Sequence, residues 1–253
     1  MLMSIVVAGA AAYIALCAWI YATQRAQVYF PTPATDHPPA RALWIDNEGE
    51  RLKVWTVLRP GPGALIYFGG NAEDVGGSVE PFAEAFPERS LYLVNYRGYG
   101  GSTGRPSEAA LFSDALAVYG YVRARHADIT VMGRSLGGGV AAYVASERPV
   151  DRLVLVTAFD SLVNVAREYF WWLPVRWLIR DRYDSAGRAR TIDRPVLLVI
   201  AANDEIIPRR RSGALAEAFP AGRVRTVVVP GAMHNTLDLS PMYLGSVRAF
   251  LAE

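Results

Sequence analysis

The sequence predicts an α/β domain, a mostly parallel eight-stranded sheet with helices on both faces, behind a separate apolar N-terminal helix. Three observations carry this reading. Short runs of β-branched and aromatic residues alternate with helix-length segments from residue 41 to the C-terminus. Several runs, "LYLVN", "ITVMG" and "LVLVTA", are continuously apolar, as strands buried on both faces of a parallel sheet must be. Finally, "VMGRSLGGGV" at residues 131–140 sets a serine among glycines where a strand gives way to a helix.

The first element is the N-terminal helix. From Ile5 to Ala22 the chain reads "IVVAGAAAYIALCAWIYA" without a charge, about 18 residues and about 27 Å of helix, close to the hydrocarbon thickness of a bilayer. Trp19 and Tyr21 stand at its distal end, where amphipathic aromatics sit at a membrane interface, and Arg25 follows. Residues 1–24 are therefore expected to be an uncleaved single-pass membrane anchor. A cleaved secretory signal is the rival, although no Lys or Arg precedes the run and no small-x-small site precedes Arg25; a buried soluble helix is the third reading. "IALC" lacks the small residue of a lipoprotein signal. Arg25 and Arg41 favour a cytoplasmic domain, but two arginines do not fix the side of the membrane. Residues 25–40, with "VYFPTPATDHPPA", read as an extended proline-rich linker.

The domain proper is expected over residues 41–253. "RALWID" and "ERLKVWTV", separated by the turn "NEGE", form a hairpin, and "GALIYFGG" is the third strand. A helix near Val75–Phe86, a strand at Leu91–Asn95, a helix at Ser107–Arg125, a strand at Ile129–Gly133, a helix at Leu136–Ser146 and a strand at Leu153–Thr157 follow. The last strands are "PVLLVIA" and "VRTVVVP". Between Thr157 and Val196 lie about 38 residues, too many for one crossover helix, so residues 160–190 are expected to be a short helical insertion after the sixth strand. Its aromatic load, including Phe170, Trp171, Trp172 and Trp177, suits either a helix pair packed on the core or a cap that supplies an acyl pocket or touches a membrane. On the second reading Phe170, Trp171 and Trp172 are candidate substrate-binding residues.

Composition excludes several function classes. A chain of 253 residues suits one domain with a full core. The net charge of +2 is too small to argue for a nucleic-acid partner. Cys17, alone and inside the apolar run, builds neither a disulfide framework nor a thiolate metal site. His37, His126 and His234 lie far apart and show no metal-ligand spacing.

The serine in "GRSLGGG" sits at the turn joining the strand "ITVMG" to a helix. Gly-x-Ser-x-Gly in that context is a strained elbow that aims the hydroxyl out of the sheet, and Gly133 and Gly137 leave room for neighbouring backbone. A phosphate loop competes poorly, since no Gly-Lys-Ser/Thr ending follows. Ser135 is therefore a nucleophile candidate. It needs a base. His37 lies in the linker and His126 at the wrong edge of the sheet, which leaves His234 in "PGAMHNTLD", after the last strand. The acid is expected to be Asp204 in "ANDEIIP", completing the order Ser, Asp, His; Asp160 is a rival acid, Glu205 a solvated or helix-start charge, and Asp238 structural. The oxyanion requires preformed donors, expected to be the backbone N–H of Leu136 and that of Asn71 in "YFGGNAED", the asparagine side chain bracing the loop. Arg97, Tyr99 and Ser102 in "NYRGYGGSTG" follow a strand at the active edge and read as a structural turn, with substrate contact the alternative.

The ordered set "YFPTP", "YFGGNAED", "NYRGYGGSTGRPSE", "GRSLGGG", "LPVRWLIRDRYDS" and "NDEIIP" resembles the α/β-hydrolase superfamily over about residues 41–253, and within it the membrane-anchored serine hydrolases of the bud-emergence type, related to protein depalmitoylases. The resemblance implies Ser135 as nucleophile, Asp204 as acid, His234 as base, Asn71 and Leu136 as oxyanion donors, and no cofactor. One departure is Gly69-Gly70 where many relatives carry His-Gly, which removes a side chain that often supports the oxyanion loop. The implied reaction is acyl transfer to water from an ester or thioester, with a small-molecule or lipid-like acyl substrate, or an acylated protein, near a membrane. A serine peptidase of the same fold and a catalytically silent membrane-tethered scaffold are the alternatives.

Overall fold

The computed structural model describes residues 1–37 and 40–253. Eight strands form one sheet in the order β1-β2-β4-β3-β5-β6-β7-β8. They are β1 (Arg41–Asn47), β2 (Glu50–Val57), β3 (Gly63–Phe68), β4 (Ser90–Val94), β5 (Asp128–Arg134), β6 (Arg152–Val156), β7 (Val196–Ala201) and β8 (Val224–Val229). β1 and β2 form the antiparallel hairpin, β2 also runs antiparallel to β4, and every pair from β4 to β8 is parallel.

Alternation along each strand builds two cores. On β3, Ala64, Ile66 and Phe68 join one cluster, whereas Leu65 and Tyr67 join the other. The first face is covered by α3 (Glu108–Arg123), α4 (Leu136–Glu147) and α8 (Arg209–Ala218), through Leu111, Val118, Val140, Val144 and Leu215. α2 (Val79–Ala85) and α9 (Pro241–Leu251) cover the second with Phe82, Val247 and Phe250. Each face removes a continuous apolar layer from water, at roughly 25 cal/mol per Å2. The expected helix near Val75–Phe86 begins instead as a 3-10 turn over Val75–Ser78, with the Asp74 carboxylate accepting from the Gly76 N–H at its start.

Between β6 and β7 the insertion forms three short helices, α5 (Leu162–Tyr169), α6 (Val175–Leu178) and α7 (Ser185–Ala189). The N-terminal helix α1 (Leu2–Val28) runs on past residue 24 and meets this insertion. The segment after it is not a free linker. Tyr29 is buried, the Gly100 N–H donates to the Thr32 carbonyl at 3.0 Å, and Lys53 Nζ donates to the Thr35 carbonyl at 2.9 Å. Residues 29–37 are thereby laid across the carboxyl edge of the sheet.

The chain leaves β3 toward α2 on one face and β5 toward α4 on the other. Because these strands are neighbours, their loops diverge and open a crevice at the carboxyl edge, the place where open α/β sheets bind ligands.

Candidate active site

Ser135 occupies the turn from β5 into α4 with φ 50° and ψ −114°, a conformation that a non-glycine residue holds at a cost of about 1–3 kcal/mol. The surroundings enforce it. Its N–H donates to the Val156 carbonyl of β6 at 2.8 Å, which ties the elbow to the sheet. A Cβ on Gly133 would lie 2.1 Å from the Gly137 carbonyl oxygen, and one on Gly137 would lie 2.0 Å from that of Phe68. The two glycines let strand, elbow and helix pack at backbone distance.

His234 follows β8 and is buried, with Nε2 3.1 Å from Ser135 Oγ and Nδ1 2.9 Å from Asp204 Oδ2. A carboxylate only accepts, so Nδ1 carries the proton toward Asp204 and Nε2 is left to accept the seryl proton. Asp204 Oδ1 also accepts from the N–H groups of Ile206 and Ile207, at 3.0 and 2.7 Å. The histidine backbone is held from both sides: its N–H donates to Glu205 Oε2 at 3.0 Å, and its carbonyl accepts from Arg134 Nη2 at 3.0 Å. Three residues read from separate loops thus meet in one hydrogen-bonded chain.

The loop after β3 lies opposite. The Gly70 N–H donates to Glu73 Oε2 at 2.6 Å, while among the described residues the Asn71 N–H and the Leu136 N–H have no intramolecular acceptor. Leu136 is the first residue of α4, where an N–H has no partner within the helix. The Asn71 side chain braces the segment leaving α1. Its Nδ2 donates to the Val28 carbonyl at 2.6 Å, and its Oδ1 accepts from the Phe30 N–H at 3.0 Å and from Tyr99 Oη at 2.8 Å. Burial pushes the Tyr99 phenol up to about 12, so it stays protonated as a donor. A Cβ on Gly69 would lie 2.4 Å from Val75 Cγ1, so a side chain there would require Val75 to shift. Glu73 does the supporting, accepting from Gly70 and from Tyr67 Oη at 2.8 Å.

Other candidates fall elsewhere. Asp160 is engaged with Arg211 at 2.9 Å, Asn164 at 2.7 Å and its neighbour's N–H, away from His234. His37 bonds Asp74 at 2.8 Å and His126 bonds Tyr92 at 2.9 Å. Arg97 pairs with the buried Asp114 carboxylate, and Ser102 links the Asn95 carbonyl to the Lys53 N–H. Glu205, expected as a solvated or helix-start charge, is exposed and in addition accepts from the His234 N–H, which orients the histidine loop. No cluster of metal-ligating side chains occurs among the described residues.

The cleft above Ser135 holds about 580 Å3, with Phe30, Ile206, Asn71, Glu73, Arg134 and His234 among its walls. Phe170, Trp171 and Trp172 do not line it; they stand on the insertion beside α1. Arg134 and Phe30 were not legible as site residues. Arg134 is the variable residue inside the elbow motif, and Phe30 sits in a segment that composition marks as linker. At Arg134, burial would lower the guanidinium, but Tyr67, Glu73 and Tyr243 outweigh it and hold it above its ordinary value, so it remains a cation beside the cleft.

Elbow, hydrogen-bonded chain and divergent loops together define a hydrolase of the α/β type. The alpha/beta hydrolase fold family matches residues 63–191, and the chain belongs to that family. Within it the relatives are of the bud-emergence type. An uncharacterised protein of Mycobacterium tuberculosis strain H37Rv is 36% identical over 93% of this chain and 89% of its own. Lysophosphatidylserine lipase ABHD12 of Xenopus tropicalis is 28% identical over 86% of this chain and 65% of its own. Protein bem46 of Schizosaccharomyces pombe is 29% identical, covering 75% and 67% respectively. Among solved structures, the Pyrococcus furiosus esterase Pf2001 superposes with a TM-score of 0.75 at 18% identity, over 89% of this chain and 98% of that one, a likeness of fold.

Proposed function

We propose that the protein is a serine hydrolase that cleaves carboxylic ester or thioester bonds of acyl or lipid-like substrates at a membrane. The observation that carries this reading is the unbroken chain from Ser135 Oγ through His234 to Asp204, set beside two backbone N–H groups that have no acceptor among the described residues. Ser135 attacks the carbonyl carbon while His234 Nε2 takes its proton, and Asp204 stabilises the imidazolium. The tetrahedral oxyanion accepts from the Asn71 and Leu136 N–H groups. His234 returns the proton to the leaving group, the acyl group stays on Ser135, and water activated by the same histidine releases it as the acid. No cofactor enters these steps.

Support for an acyl-lipid substrate comes from the named activity of the ABHD12 relative and from α1, whose apolar stretch is long enough to cross a bilayer. The test is kcat/KM of full-length protein in detergent across matched esters and thioesters of increasing acyl length, with Ser135→Ala as the blank. The variant should lose about four to six orders of magnitude in kcat. Retained turnover would sink the assignment. Activity that rises with acyl length supports a lipidic substrate, and preference for peptide amides would move the site to the peptidases.

A further inference from the structure

The contact between α1 and the insertion has a geometry that an anchor on a loose tether would not have. Tyr13, Cys17, Ile20, Gln24 and Val28 recur every three or four residues and so share one face of α1. Along that face the insertion is attached at two heights. At the base, Gln24 Nε2 donates to the Leu178 carbonyl at 2.9 Å, the Arg180 N–H donates to Gln24 Oε1 at 2.8 Å, and Arg25 makes two 3.0 Å bonds to the Asp181 carboxylate. Higher up, Tyr13 Oη donates to the Trp172 carbonyl at 2.9 Å. The helix rises roughly 16 Å between Gln24 and Tyr13, about half the hydrocarbon thickness of a bilayer. Tyr13 lies in the middle of the uncharged run Ile5–Ala22.

We infer that the insertion is itself immersed in one leaflet of the membrane, as a wedge standing alongside α1. The inference rests on the reading of α1 as a membrane span: a bilayer that covers Ile5–Ala22 also covers Trp172. The chemistry of the wedge fits that solvent. Residues 169–179, "YFWWLPVRWLI", carry one charge, Arg176, whose long stem can reach back to the headgroups. Trp171 and Trp177 are 81% and 85% exposed, with Phe170 and Trp172 about half exposed, a surface that in water has no partner. At the base Arg180 and Asp181 sit level with Gln24 and Arg25, while Arg167 and Arg182 line a pocket with Trp171 and Trp177, their long stems free to carry the guanidinium groups toward the headgroups. Between wedge and α1 lies an apolar cavity of about 200 Å3, lined by Ile20, Val28, Phe170, Leu173, Leu178 and Ile179, which suits a length of acyl chain. It ends at Val28, whose carbonyl holds Asn71, and Phe30 two residues on is a wall of the catalytic cleft. The occupant of the exposed aromatic face is therefore the acyl layer of a phospholipid bilayer, and a lipid tail reaches the site from within the leaflet.

The experiment places a nitroxide at single cysteines in full-length protein carrying Cys17→Ser, reconstituted in phosphatidylcholine vesicles. Collisions with oxygen, which concentrates in hydrocarbon, are compared with collisions with a water-soluble nickel chelate. Trp171→Cys and Trp177→Cys should report hydrocarbon, as should Ile14→Cys on the span; Leu58→Cys, beyond the opposite edge of the sheet, should report water. If position 14 is in hydrocarbon while 171 and 177 match 58, the wedge is refuted and the span stands. If position 14 is in water, the membrane reading falls and the wedge with it, while the acyl-transfer chemistry is still judged by Ser135→Ala. A second variant, Trp177→Glu, should lower kcat/KM at least about tenfold on long-chain esters embedded in vesicles, because a carboxylate in the leaflet is expensive, and leave a soluble short-chain ester unaffected. Equal loss on both substrates, or no loss on either, would overturn the proposal.

Discussion

Each member of the Ser135, His234 and Asp204 chain is held by groups that do no chemistry, and substitutions separate the two roles. Asp204→Asn keeps the shape but allows the imidazole to present the wrong tautomer, so kcat should fall by about ten-thousand-fold with the thermal midpoint little changed. Gly137→Ala acts differently. Its methyl would meet the Phe68 carbonyl at 2.0 Å, and that carbonyl is the root of the loop carrying Asn71. A loss of roughly 3 kcal/mol in thermal unfolding is expected from such overpacking, together with a drop in kcat of about a hundredfold or more as the donor shifts. The three candidates that meet in this hydrogen-bonded chain, Ser135, His234 and Asp204, were legible at this scale because elbow geometry and strand order leave few choices. Arg134 and Glu205 were not, since backbone contacts to a loop 100 and 29 residues away carry no local pattern.

At the scale of elements, the segment between α1 and β1 shows how composition misleads. Prolines mark it as extended, which it is, but its polar groups find partners along the sheet edge. Asp74 is one clamp, accepting from Thr35 Oγ1 at 2.9 Å and bonding His37 at 2.8 Å. Burial alone would raise this carboxyl, yet the hydrogen bonds from His37, Thr35 and the Gly76 N–H outweigh it and hold it below its usual 3.8. A depressed carboxyl contributes stability that is present above the unfolded value and lost as pH falls through the folded one. Asp74→Asn should therefore lower the urea midpoint at pH 7, and the gap to the parent protein should close as pH drops below 3.8. A constant gap across that window would show that the carboxylate charge contributes nothing. The three helices of the insertion were expected as a block, but their attachment to α1 was not, because the pairing joins segments more than 150 residues apart.

The molecule as a whole couples its N-terminal helix to its catalytic edge. Arg25 closes on Asp181, whose side chain is buried and also accepts from Tyr29 Oη at 3.0 Å. Arg25→Ala leaves that carboxylate short of its cation and should cost about 1.5–3 kcal/mol in thermal unfolding. Restoration by Asp181→Asn in the same chain would identify the unpaired charge as the cause. The sequence by itself determined the alternation of strands and helices, the serine elbow, the order of the triad candidates and the apolar N-terminal stretch, because each is written in local periodicity or in a short motif. Only the tertiary structure decided that Asn71 is tied to Val28 and Phe30, that Phe30 rather than Phe170 or Trp172 walls the cleft, and that the insertion stands along α1. Those outcomes are set by which distant backbone groups must satisfy one another once the sheet is assembled, and no window of residues contains that information.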